Sequence, residues 1–122
     1  MDLAAARSEL AGLAPAGFTG YDHLPGVAQL PAWVVGLPQR ITAESARLFR
    51  VLLPVFVIVG NPYTPEGEAQ LLAGVASAAD LLGLAGSTFK AATWADIDSF
   101  RPITIGQTEH IGAVVNLEVL IS

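Results

Sequence analysis

From Arg47 to Val59 the chain reads Arg-Leu-Phe-Arg-Val-Leu-Leu-Pro-Val-Phe-Val-Ile-Val, its densest run of β-branched and aromatic residues. Arg50 gives the opening residues a polar face, and from Val51 onward both faces are apolar, which predicts a strand covered on both sides. Pro54 has no N–H to donate, so the pattern requires either a bulge there or an edge on that side of the strand. A second strong pattern follows Gly60-Asn61-Pro62. Thr64 can cap a helix, with Pro65 at its first position and Glu66 and Glu68 near its positive end. Leu71, Leu72, Val75, Ala78, Ala79 and Leu82 then form one apolar stripe, and Gly83 and Gly86 stop the helix. The opposite side, Ala69, Ala73, Ala76 and Asp80, is small enough for another element to come close.

The C-terminal third predicts a β-hairpin, Ser99 to Ile105 and His110 to Ile121 around a turn at Gly106-Gln107-Thr108-Glu109. In its last strand Ile111, Ala113, Val115, Leu117, Val119 and Ile121 alternate onto one face, which is therefore core. Ser87 or Thr88 can cap a short helix running to about Trp94. At the other end, Leu3, Ala6, Leu10 and Leu13 predict a helix over residues 2–14 with Asp2 at its positive end. From Gly12 to Pro38 nine of twenty-seven residues are Gly or Pro. Residues 15–46 are accordingly expected to be mostly extended loop, with Trp33-Val34-Val35 as a short strand and Tyr21 and His23 as loop anchors. The fold class expected is α+β: a mostly antiparallel sheet with a C-terminal β-hairpin, helices packed on one face, in a single domain over 1–122 whose core is 47–122.

Composition changes this picture in one respect. The 122 residues are 52% hydrophobic and 14% charged, with a mean hydropathy of +0.54. Disorder is excluded. The longest apolar run, Val51 to Val59, is about half of the roughly 20 residues that span a bilayer, so no membrane segment is expected. The excess apolar surface must face protein, and neighbouring subunits are the expected place. Six basic and eleven acidic residues give a net charge of −5 and no basic run, which argues against a general nucleic-acid binder. There is no cysteine, hence no thiolate chemistry. The N-terminus lacks a basic region followed by a long apolar one, so a cytoplasmic site of synthesis and assembly is expected.

Candidate chemistry is sparse. His23 and His110 are the only histidines. Neither accompanies a nucleophile elbow or a metal-ligand spacing, and surface roles are expected for both. Asp96 and Asp98 suit local turn chemistry better than an acid/base pair. Gly83 to Thr88 faintly resembles a phosphate-cradling loop, but lacks Gly-Lys-Ser/Thr and is equally a helix end followed by a cap. No catalytic residue, cofactor or metal is expected. The candidate interface residues are Trp33 and Trp94, with core packing as the alternative for each. Arg47, Arg50 and Arg101 join them, placed on strands where they would pair with acidic groups of a neighbour or simply face solvent.

The order of elements, with Leu30-Pro31-Ala32-Trp33-Val34-Val35-Gly36-Leu37-Pro38, Pro65-Glu66-Gly67-Glu68-Ala69-Gln70-Leu71-Leu72, Ser87-Thr88-Phe89-Lys90-Ala91-Ala92 and the terminal hairpin, resembles tail terminator proteins of long-tailed (siphovirus-type) bacteriophages, particularly those of actinobacterial hosts. The resemblance covers about residues 25–122. It implies a structural, non-enzymatic virion protein that forms a homo-oligomeric ring, a hexamer in that family. The ring caps the tail tube, stops its polymerisation and joins it to the head connector. The expected partners are further copies of the chain, the tail tube protein and the head-completion protein, with DNA passing through the channel without sequence-specific binding. The net negative charge suits such a channel. A head-closure or tail-completion neck protein is the nearest alternative. A small ligand-binding or enzymatic domain, with a pocket between the Val75 helix face and the sheet, is the more distant one.

Overall fold

The computed structural model describes residues 1–83 and 86–122, with backbone only for Trp94, Ala95, Ser99 and Phe100. Helix α1 (Leu3–Ala11) is followed by strands β1 (Thr19–Tyr21), β2 (Ala32–Val35), β3 (Arg40–Ser45) and β4 (Leu48–Ile58), helix α2 (Pro65–Ala79), and strands β5 (Phe89–Ile105) and β6 (Thr108–Ile121). One sheet holds all six strands in the order β1-β2-β4-β6-β5, with β3 also on β4. The β1–β2 pair is parallel and every other pair is antiparallel. This is the expected α+β class with a C-terminal hairpin.

Local chemistry sets both helices. The Asp2 carboxylate accepts from Ala5 N–H at 3.0 Å, and the Thr64 hydroxyl from Gly67 N–H at 3.1 Å, each filling a first-turn donor that has no intrahelical partner. Both helices lie on one face of the sheet. Ala6, Leu10, Leu71 and Ala78 share a core cluster with Val51, Leu53, Val55 and Val57 of β4 and with Ala113, Val115, Leu117, Val119 and Ile121 of β6. The alternation read from β6 is therefore its buried face, Ile111 excepted, which is only half-buried. The stripe of α2 is narrower than expected. Leu71, Gly74 and Ala78 are buried, whereas Leu72 is 61% exposed because consecutive helical positions point about 100° apart, and Leu82, 48% exposed, lies in the turn beyond the helix.

Pro54 introduces no bulge into β4. Its carbonyl accepts from Gly36 N–H at 2.8 Å, so its nitrogen faces that same side, where the chain passes from β2 to β3. The missing donor falls at the junction of two half-length neighbours, and the ladder to β6 runs unbroken through Pro54 and Asn116. On the helix-free face only the end of β4 is covered. There Ile58 packs with Ala32, Val34, Ile103 and Ile105 against Tyr21, Ala28 and Leu30.

Two expectations are corrected. Residues 15–46 hold three strands, β1, β2 and β3, where only one at Trp33-Val34-Val35 was expected, although most of the stretch is irregular as expected. The short helix expected from Ser87 or Thr88 to Trp94 is the start of β5, where Phe89 pairs with Ile121 and Ala92 with Val119. Three register shifts bend this 17-residue edge strand, and the hairpin turns at Gly106, whose φ of 62° suits a tight hairpin turn.

Candidate interaction surface

Trp33, expected as a subunit contact, belongs to the core. It is 0% exposed, and its indole N–H donates to the Leu10 carbonyl at 3.0 Å, fastening the end of α1 to β2. Trp94 lies on β5 opposite Glu118, and its side chain is outside the described residues. Arg47 is not on a strand. It occupies the exposed turn between β3 and β4 and has no hydrogen-bond or ion-pair partner among the described residues.

Arg50 finds its acidic partners within its own chain. Its Nε donates to Glu44 Oε1 at 2.5 Å and its Nη1 to Glu118 Oε1 at 2.6 Å, with Thr93 Oγ1 at 3.3 Å from the same nitrogen. The row Glu44–Arg50–Glu118–Thr93 thus crosses β3, β4, β6 and β5 on the helix-free face. Its two carboxylates, Glu44 first, hold the guanidinium pKa above the usual arginine value. Arg40, Thr42, Arg50, Leu52, Thr93 and Glu118 line an open groove of about 550 Å³. A second groove of about 340 Å³ is lined by Pro54, Phe56, Val114, Asn116 and Arg101 among others, and Arg101 Nη1 reaches Asp98 Oδ2 at 3.2 Å. Asp96 and Asp98 lie on β5 rather than in a turn, and the shift after Asp98 allows that pairing.

Between the Val75 face of α2 and the sheet, the place of the alternative ligand pocket, the described residues pack closely. A Cβ on Gly74 would run into Val57 Cγ1, so helix and strand are in direct contact there. Of the Gly83–Thr88 segment, in which residues 84–85 lie outside the described residues, Ser87 and Thr88 do hold an anion, and that anion is the chain's own. Glu9 Oε1 accepts from Ser87 N–H at 2.7 Å, and its Oε2 accepts from Thr88 N–H at 2.9 Å and from the Ser87 hydroxyl at 3.0 Å. These bonds, Thr88 first, hold the Glu9 carboxyl below its ordinary value. Any side chain on Gly86 would collide with Glu9. One residue before Glu9 on α1, Ser8 donates to Asp22 Oδ2 at 2.6 Å, and His23 Nδ1 lies 2.8 Å from Asp22 Oδ1. Among the described residues no three His, Asp or Glu gather as metal ligands would, and no helix is long and apolar enough to cross a membrane.

The surface that stands out was missed as a site at the sequence level. Among the described residues strand β3 is hydrogen-bonded to β4 alone, and all six of its residues are exposed, Ile41 by 46%. The alternation Arg40-Ile41-Thr42-Ala43-Glu44 carried a strand signal, but the Gly/Pro-rich stretch before it obscured that signal. Nearby Leu37 is 58% exposed, and elsewhere Val27 and Leu72 are 89% and 61% exposed. No protein-family model matches the chain, and no curated protein matches it in sequence.

Proposed function

We propose that the protein is a structural, ring-forming subunit of a bacteriophage neck, a tail terminator that caps the tail tube, ends its polymerisation and presents a surface to the head connector. The observation that supports this most is the open edge of β3, a six-residue strand that is exposed throughout and, among the described residues, pairs with β4 only. An edge strand presents a row of unpaired N–H and C=O groups, a ready place for another chain to dock. Exposed apolar side chains at Leu37, Ile41, Leu72 and Val27 add to the same reading. The net charge of −5 per subunit disfavours adhesion of a polyanion in a channel built from several copies. As a tail terminator the protein resides in the virion, after assembly in the host cytoplasm, and needs neither cofactor nor catalytic group.

Purified protein mixed with tail tubes and imaged by negative stain, with its mass measured in solution, tests the proposal. Rings seated on tube ends support it. A protein that stays monomeric in the presence of tubes refutes it, binding to head connectors instead of tubes assigns the head-closure role, and tight, specific metabolite binding favours a ligand-binding domain.

A further inference from the structure

Strand β3 and the turn after it form an exposed arm along the edge of the sheet, and that arm has a counterpart on the same molecule. Residues 39–50 carry three cations, Arg40, Arg47 and Arg50, against one carboxylate, Glu44. Arg50 is taken up by Glu44 and Glu118, which leaves Arg40 near one end of the arm and Arg47 at its turn without acidic partners among the described residues. Between them lie the exposed Ile41 and Ala43. Arg40 belongs to the helix-free side of the sheet and Ile41 to the other, so a partner laid along the outer edge of β3 meets both.

The chain has no basic residue between Arg50 and Lys90, and α2 lies in the middle of that stretch. Along its outer side Glu68, Leu72, Ala76 and Asp80 follow one another at four-residue spacing, all exposed, and so form one ridge. The ridge is acid, apolar, small, acid. At 1.5 Å per helical residue its two carboxylates stand about 18 Å apart. At about 3.3 Å per strand residue Arg40 and the turn carrying Arg47 are separated by about 17–20 Å. Two cations flanking apolar groups therefore match two carboxylates flanking apolar groups, in charge and in spacing.

We infer that the arm of one copy lies along the α2 ridge of the next, Arg40 and Arg47 meeting Glu68 and Asp80 while Ile41 and Ala43 cover Leu72 and Ala76. The occupant of the arm is a second copy of this chain. Because arm and ridge are different patches, the contact is head-to-tail and propagates around a ring. The inference rests on the ring reading above and supplies its subunit contact. It also gives the exposed Leu72 an apolar partner.

Two measurements test it. Reversing charge on one side, Arg40→Glu with Arg47→Glu or Glu68→Lys with Asp80→Lys, is expected to raise the concentration for half-assembly about tenfold or more by placing like charges together. Mixing the two variants, or combining all four changes in one chain, is expected to restore assembly, a recovery that misfolded variants would not show. Because the chain has no native cysteine, Ala43→Cys with Ala76→Cys provides a clean pair for a short bismaleimide linker. The expected product is a ladder of covalent oligomers from the double variant and no oligomer from either single one. Dimers from Ala43→Cys alone would overturn the inference in favour of arm-to-arm pairing. Ladders obtained only when Ala43→Cys is combined with Lys90→Cys would place the arm on the β5 edge instead. Rings that form normally with either charge reversal refute this contact while leaving the ring reading intact, whereas a wild-type chain that is monomeric even on tail tubes refutes both.

Discussion

Replacing Trp33 by alanine separates a core role from an interface role. The indole is fully buried among Leu10, Val35 and the β4 and β6 side chains, and its N–H holds the Leu10 carbonyl at 3.0 Å. Truncating a buried aromatic to alanine costs about 3–5 kcal/mol, the sum of lost transfer energy and the cavity left behind. The lost hydrogen bond adds little, because the Leu10 carbonyl still accepts from Leu13 N–H at 3.1 Å. Against a total stability of about 5–15 kcal/mol for a domain, that is about a fifth of the whole or more. With a urea m-value of about 1.5–2 kcal/mol/M, the unfolding midpoint should fall by about 2 M. Trp33→Phe keeps most of the volume and should lose about 1–2 kcal/mol. Urea titrations followed by far-ultraviolet circular dichroism read both shifts at protein concentrations low enough to exclude assembly. A Trp33→Ala chain with an unchanged midpoint and impaired ring formation would return the residue to the subunit interface and refute the core assignment.

Gly74→Ala places a methyl against Val57 Cγ1 and the Phe18 ring, and this overpacking outweighs the gain in helix propensity. A net loss of about 1–2 kcal/mol in thermal or urea unfolding is expected, and a gain would mean that α2 stands off the sheet. Glu9→Gln weakens the clasp on Ser87 and Thr88. Since the Glu9 carboxyl is held below its ordinary value of 4.5, its contribution to stability is present above about that pH and is lost as pH falls through the lower folded value. The wild type should therefore lose stability relative to Glu9→Gln as pH drops below 4.5, and parallel stability-versus-pH curves for the two proteins would show that the clasp contributes nothing.

Elements whose signals are local are legible in the sequence itself. Helix α2 carries its cap, its first-turn proline and its acidic N-terminus within five residues, and the C-terminal hairpin carries its alternation and a turn glycine. Candidate site residues fared less well, since nothing near Trp33 or Arg50 says which distant group meets it. The clasp between Glu9 and residues 87–88 joins groups 78 and 79 positions apart and leaves no pattern along the chain.

Residues 87–94 show where local preference yields. Ser87 and Thr88 as caps before Ala91 and Ala92 favour a short helix, yet Phe89 and Ala92 find buried places only by pairing with Ile121 and Val119 of β6. Burial of apolar area and a completed ladder outweigh a few tenths of a kilocalorie of propensity per residue. Pro54 makes the same point about topology. Its missing N–H is a property of the chain, and it is tolerated in a central strand because β2 and β3 divide one side of β4 between them. Composition and periodicity thus settle which residues seek burial and which segments are amphipathic, because those depend on side-chain chemistry and spacing alone. Which face Trp33 fills, which carboxylates meet Arg50 and which strand is left without a covering layer depend on contacts between residues far apart in sequence, and only the folded arrangement brings those together.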